Sequence, residues 1–206
     1  MLTRNKLVCV GMAAALMLAL AVSSASAGRL SLSHRLTRAM FNPLTFSGPF
    51  GAAARCPITL ESSFHRETIN KTLDSLIGYV TRAIRGTCTQ GNATILSETL
   101  PWHIAYGGFT GSLPRFLGIK QKLIGASFRV QESVFGINCL SRTTTTNPSI
   151  GIAEGIEWEA NGNGIIRRLV AEPGATIPCG SITGRFEGTA TVTDNTGATN
   201  VLIRLI

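Results

Sequence analysis

The sequence predicts an all-β domain, an antiparallel sandwich or small barrel of about eight to ten short strands held by two disulfides. Three observations lead there. Phe186, Gly188, Ala190 and Val192 alternate with Glu187, Thr189, Thr191 and Thr193, so an apolar face backs a threonine-rich one. Gly, Pro and Asn recur between short runs of strand-forming residues. Four cysteines, Cys56, Cys88, Cys139 and Cys179, remain once an amino-terminal export segment is set aside.

That export segment reads as a signal peptide over residues 1–27. Arg4 and Lys6 supply the positive start, Leu7 to Val22 is a nearly uncharged apolar run, and Ala25-Ser26-Ala27 is the small-residue cleavage site before Gly28. The apolar run, about 16 residues, falls short of the roughly 20 needed to span a bilayer as a helix. The predicted location is therefore secreted and extracellular, with no transmembrane span in the mature chain. Cys9 leaves with the signal. An even number of cysteines in an exported chain implies two disulfides, and nearest-neighbour pairing gives Cys56–Cys88 and Cys139–Cys179. No two of the four are close in sequence, so zinc-ribbon half-sites are absent.

Residues 28–54 read as a basic flexible linker or arm, because Asn42-Pro43, Gly48-Pro49 and scattered Ser and Ala show no sustained period. A single β-rich domain then spans 55–206. Its strand candidates are Ile58–Arg66, Ala93–Thr99, Trp102–Phe109 and Leu123–Val130. A hairpin is expected from Ile152–Glu159 and Ile165–Glu172 around Asn161-Gly-Asn-Gly164, placing Glu157 opposite Arg168, Ile156 opposite Leu169 and Trp158 facing Arg167. A second pairs Phe186–Thr193 with Val201–Ile206 across a turn at Asp194 to Ala198. Residues 67–85 are ambiguous. Ile69, Leu73, Leu76, Ile77, Val80, Ala83 and Ile84 recur at helical spacing, but Gly78 and several β-branched residues favour a strand over Leu76–Ile84, buried on both faces. A helix near 67–85 would make the fold α+β instead.

The chain has 19 Lys and Arg against 11 Asp and Glu; without Arg4 and Lys6 the excess is six. Part of it is local: Arg29, Arg35, Arg38 and Arg55, with His34, all precede the first acidic residue, Glu61. Such an arm suits an anionic cell-envelope polymer or phospholipid. Nucleic acid is disfavoured, since no aromatic residues interleave the basic ones.

Catalytic signatures are sparse. Gly125-Ala126-Ser127 lacks the second glycine of a nucleophile elbow, and no Walker loop, dinucleotide fingerprint, HExxH or EF-hand loop occurs. Neither a cofactor nor a metal site is called for. The one constellation worth following is Glu98-Thr-Leu-Pro-Trp-His103 with His65: His103 as a general base oriented by Glu98, or His65 and His103 as part of a zinc set. The opposing reading has Trp102 as a core anchor and His103 bonded to a nearby carbonyl.

Leu76-Ile-Gly-Tyr-Val-Thr-Arg-Ala83 and Glu98-Thr-Leu-Pro-Trp-His103 resemble segments of secreted actinobacterial proteins of unknown function. The resemblance implies a bacterial extracellular setting and no activity, and makes the Asn70-Lys-Thr72 and Asn92-Ala-Thr94 glycosylation patterns irrelevant. Taken together, the sequence favours a secreted binding or interaction module at the cell surface over an enzyme. Its alternatives are a β-barrel carrier of a small apolar ligand and a hydrolase or isomerase using His103 and Glu98 or His65.

Overall fold

The computed structural model describes residues 29–48, 51–131, 138–172, 177–179 and 182–206. The expected signal peptide lies outside them. Eight strands form the frame: β1 Leu36–Gly48, β2 Gly51–Phe64, β3 Leu76–Arg85, β4 Trp102–Thr110, β5 Gly118–Ile124, β6 Ser149–Glu154, β7 Arg168–Ala171 and β8 Ile182–Asp194. Each pairs antiparallel with its neighbours in the chain, and β8 returns to β1, from Arg185↔Ser47 to Asp194↔Thr37. The result is a closed eight-stranded up-and-down barrel with no α-helix among the described residues. Closure removes the free sheet edges that would otherwise template aggregation.

The segment expected to be a flexible linker is instead structural. It supplies the strand Arg29–Leu32, all of β1 and the start of β2. Its period is hidden by a register shift between Phe41 and Leu44. Thr37, Ala39 and Phe41 point inward before the shift, Leu44 and Phe46 after it, so the buried face changes from odd to even numbers. Pro43 sits within this bulge, where the ladder needs no N–H from it.

The helical spacing around Leu76 has a similar origin, and the helix considered over 67–85 does not form. Register shifts flank Gly78 and Thr81, and Ile77, Val80 and Ala83 all turn towards the core, three residues apart. Burial on both faces, however, is not found: Thr81, Arg82 and Ile84 are exposed. Leu123–Val130 is two strands, since Gly125 turns with φ 87° between β5 and Ser127–Gln131.

Both expected hairpins are displaced. Gly155, at φ 65°, ends β6 early. Glu154 therefore pairs with Arg168 and Ala153 with Leu169, while Glu157 and Trp158 pair with Ile165 and Gly164 in a different sheet. After β8, Asp194 organises the turn. Thr196 Oγ1 donates to its carboxylate at 2.7 Å, and the backbone N–H groups of Ala198 and Thr199 donate at 3.0 and 3.1 Å. These bonds, that of Thr196 foremost, hold the Asp194 pKa down at about 2. The chain then leaves the barrel. Val201–Leu205 pairs with Arg29–Leu32 and Gly164–Ile166, where a β8 hairpin was expected.

These last strands belong to a five-stranded sheet, ordered Glu157–Trp158, Gly164–Ile166, Val201–Leu205, Arg29–Leu32, Thr68–Asn70. It lies across one mouth of the barrel, and Leu30, Leu32, Ile69, Ile166, Val201 and Ile203 are buried beneath it. The other mouth is filled by aromatic rings. Phe128, from the three-stranded sheet of Asn92–Ile95, Ser127–Gln131 and Asn138–Arg142, meets Phe46, Phe186 and Trp102 at 5.0–5.3 Å. Trp102 is the core anchor expected of it, wholly buried with Nε1 donating to Thr99 Oγ1 at 2.8 Å. The Cys56–Cys88 disulfide closes this end, as nearest-neighbour pairing predicted. Cys139 is also disulfide-bonded; the side chain of Cys179, its expected partner, lies outside those described.

Candidate functional site

Ala39, Ser62, Gln121 and Leu169 meet inside the barrel and border two adjoining cavities of about 50 and 60 Å³. Tyr106 lines the first, and burial raises its pKa. A small-molecule site usually occupies about 300–1,000 Å³. These spaces have room for a water or two each. Eight strands leave an interior that side chains can fill, and here they nearly do.

The histidines lie outside. His65 follows β2, Tyr79 sits on β3 and His103 on β4, and their rings form a row: His65 to Tyr79 at 4.9 Å, Tyr79 to His103 at 5.3 Å. Both histidines are exposed, and Tyr79 separates them. Glu98 belongs to the short 3-10 turn Ser97–Thr99 and bonds to neither histidine among the described residues. The structure therefore does not join His103, Glu98 and His65 into one acid–base unit. Among the described residues no three His, Cys, Asp or Glu side chains are placed to share a metal ion.

A different group does converge. The pairing of Arg29 with Asn70 and Leu30 with Ile69 brings the start of the described chain against the turn after β2. Between them and the start of β3 lies an open cleft of about 720 Å³, bordered by Arg29, Arg35, His65, Arg66, Glu67 and Leu76 among others. Arg35 Nε donates to the Phe64 carbonyl at 3.2 Å, which positions its guanidinium. No carboxylate pairs with Arg29, Arg35 or Arg66 among the described residues. Glu67 is the one acidic residue in the lining. Three arginines bordering an open concavity raise the local concentration of anions, and the planar forks of their guanidiniums suit phosphate, sulfate or carboxylate oxygens.

Of the four arginines assigned to a basic arm, then, two reach this cleft. Arg38 lies on the barrel wall, where Glu61 accepts from it at 3.1 Å and from Arg82 at 3.5 Å. Arg55 is in the half of β2 that holds Cys56, near the disulfide. Arg66 was missed, because it is remote in sequence from Arg29 and only strand pairing makes them neighbours. A second cleft, of about 400 Å³, lies by the disulfide. Its single arginine, Arg85, is already taken up by Asn92 Oδ1.

Comparison of the chain with protein families, curated proteins and solved structures finds no match. Among the described residues no helix is long and apolar enough to cross a membrane.

Proposed function

We propose that the protein is an exported binding module acting at or near the cell surface, with an anionic group of its ligand held in the arginine cleft. The observation that carries this reading is the convergence of Arg29, Arg35 and Arg66 on one cleft, with no carboxylate paired to them among the described residues. The export segment, the basic excess and the disulfide support an extracellular setting. Among the described residues, the cavities inside the barrel that the carrier alternative could use measure about 50 and 60 Å³, and the residues of the hydrolase alternative form no assembled acid–base pair.

Retention on immobilised dextran sulfate tests it. The wild type should be released by salt, since such contacts are screened as ionic strength rises. The combined Arg29→Ala, Arg35→Ala and Arg66→Ala variant should elute at much lower salt, while a charge-matched Arg55→Ala, Arg129→Ala and Arg142→Ala variant, changed at exposed positions outside the cleft, elutes closer to the wild type. Equal shifts for both variants would mean that net charge alone governs retention, and the cleft reading would fail. Deleting the basic segment 28–54 is not a usable test, because it would remove β1.

A further inference from the structure

The mouth that bears the arginine cleft also bears an apolar rim. Leu117 is 67% exposed and Leu73 is 65% exposed, with Leu113 and Phe109 also open to solvent. Their exposure is imposed by structure rather than by fraying. Between β4 and β5 the chain turns at Gly111 (φ 82°), and Leu117 N–H donates to the Thr110 carbonyl at 2.8 Å. Phe116 is buried against Trp158, whose Nε1 donates back to the Phe116 carbonyl at 3.0 Å. With Phe116 fixed inward, Arg115 and Leu117 are directed out.

Leu73 is fixed in a comparable way. Asp74 N–H donates to the Tyr106 carbonyl at 2.8 Å, and Tyr106 N–H donates to the Ser75 carbonyl at 2.9 Å. Asp74 also forms an ion pair with Lys122 of β5. These bonds lay residues 73–75 across β4, with Leu73 over Gly108. Ser75 and Leu76, next along the chain, already line the arginine cleft. Leu73 thus adjoins the cleft along the chain, and the turn that exposes Leu113 and Leu117 lies at the same end of the barrel.

We propose that this mouth docks on an anionic phospholipid surface, Leu73, Leu113 and Leu117 entering the headgroup region while Arg29, Arg35, Arg66 and Arg115 engage lipid phosphates. This rests on the anion-binding reading of the cleft and names the partner. Apolar contact and attraction to anionic lipid add in such interfacial binding, and each basic residue at the surface contributes. A second copy of the chain fits the face less well, since a two-fold contact would bring the same arginines against one another.

Co-sedimentation with vesicles tests the proposal, using phosphatidylglycerol–phosphatidylcholine mixtures beside phosphatidylcholine alone. The wild type should bind the anionic vesicles only. The combined Leu73→Ser, Leu113→Ser and Leu117→Ser variant should bind them at least about tenfold more weakly while keeping wild-type retention on dextran sulfate. The triple-arginine variant should lose about a hundredfold on vesicles and also lose dextran sulfate retention. If the wild type is retained on dextran sulfate but ignores anionic vesicles, membrane docking fails and the cleft reading stands. Undiminished vesicle binding by the leucine variant overturns the role of the rim. Concentration-dependent dimers abolished by the same leucine changes, without vesicle binding, would assign the face to a second copy. If the triple-arginine variant keeps its hold on dextran sulfate, the underlying cleft reading fails by itself.

Discussion

The two mouths of the barrel are closed by different means. At one, Phe46, Phe128 and Phe186 meet edge to face, Trp102 packs on Phe128 at a tilt, Cys56 is wholly buried, and its disulfide to Cys88 ties the wall. At the other, five short strands from distant parts of the chain form a lid with apolar side chains beneath and arginines at its margin. The first mouth packs its aromatic side chains inward, with Leu140 of the three-stranded sheet left exposed. The second gathers Arg29, Arg35 and Arg66, which have no carboxylate partner among the described residues, around one cleft, and leaves Leu73, Leu113 and Leu117 exposed. Stability is expected to reside in the aromatic mouth and recognition in the lidded one.

The largest effect expected from this contrast is on stability. Trp102→Ala removes a ring that is wholly buried and hydrogen-bonded, so unfolding free energy should fall by about 3–5 kcal/mol. The arginine variants of the lidded mouth should each change it by less than about 0.5 kcal/mol in the same denaturant titration, as surface substitutions usually do. Comparable losses at both mouths would break the comparison, because the cleft arginines would then be structural.

A smaller effect concerns the turn that leads from the barrel into the lid. The Asp194 carboxylate is held at a pKa of about 2 by Thr196, Thr199 and Ala198. A depressed carboxylate contributes stability above its unfolded value, about 3.9, and loses it as pH falls through the folded value. Thermal unfolding of the wild type should therefore lose an Asp194 contribution between about pH 4 and pH 2. Asp194→Asn should be less stable at pH 7 and lack that part of the acid response. A variant whose melting temperature tracks the wild type through this range would show that the turn does not depend on the charge.

How much of this was legible in the sequence follows the same division. The alternation from Phe186 to Val192 survives as a buried face, with Phe186 and Ala190 inward, because the register shift between Glu187 and Ala190 puts its extra residue in β1 and leaves this stretch in one phase. β1 has the sequence of a linker because the bulge at Asn42–Pro43 switches its phase, and proline and glycine there resemble loop composition. Bulges beside Gly78 and Thr81 gave β3 a spacing of three, close enough to 3.6 to imitate a helix. Barrel and sandwich could not be told apart, because closure depends on pairing residues 37–47 with 185–194, and such contacts leave no local pattern. The candidate site was half legible. Arg29 and Arg35 stood out as a basic cluster, but Arg66 joins them only through the pairing of Arg29–Leu32 with Thr68–Asn70.

The most direct test of the central claim is backbone amide NMR of the protein titrated with a short-chain phosphatidylglycerol below its micelle concentration. Recognition at the lidded mouth predicts saturable shift changes confined to residues 29–35, 65–76 and 111–117, with the amides around Cys56, Cys88 and Asn92 unmoved. Changes centred on the cleft by the disulfide, or spread along the inward-facing residues of β1, β5 and β6, would contradict it and place the ligand at the other mouth or inside the barrel.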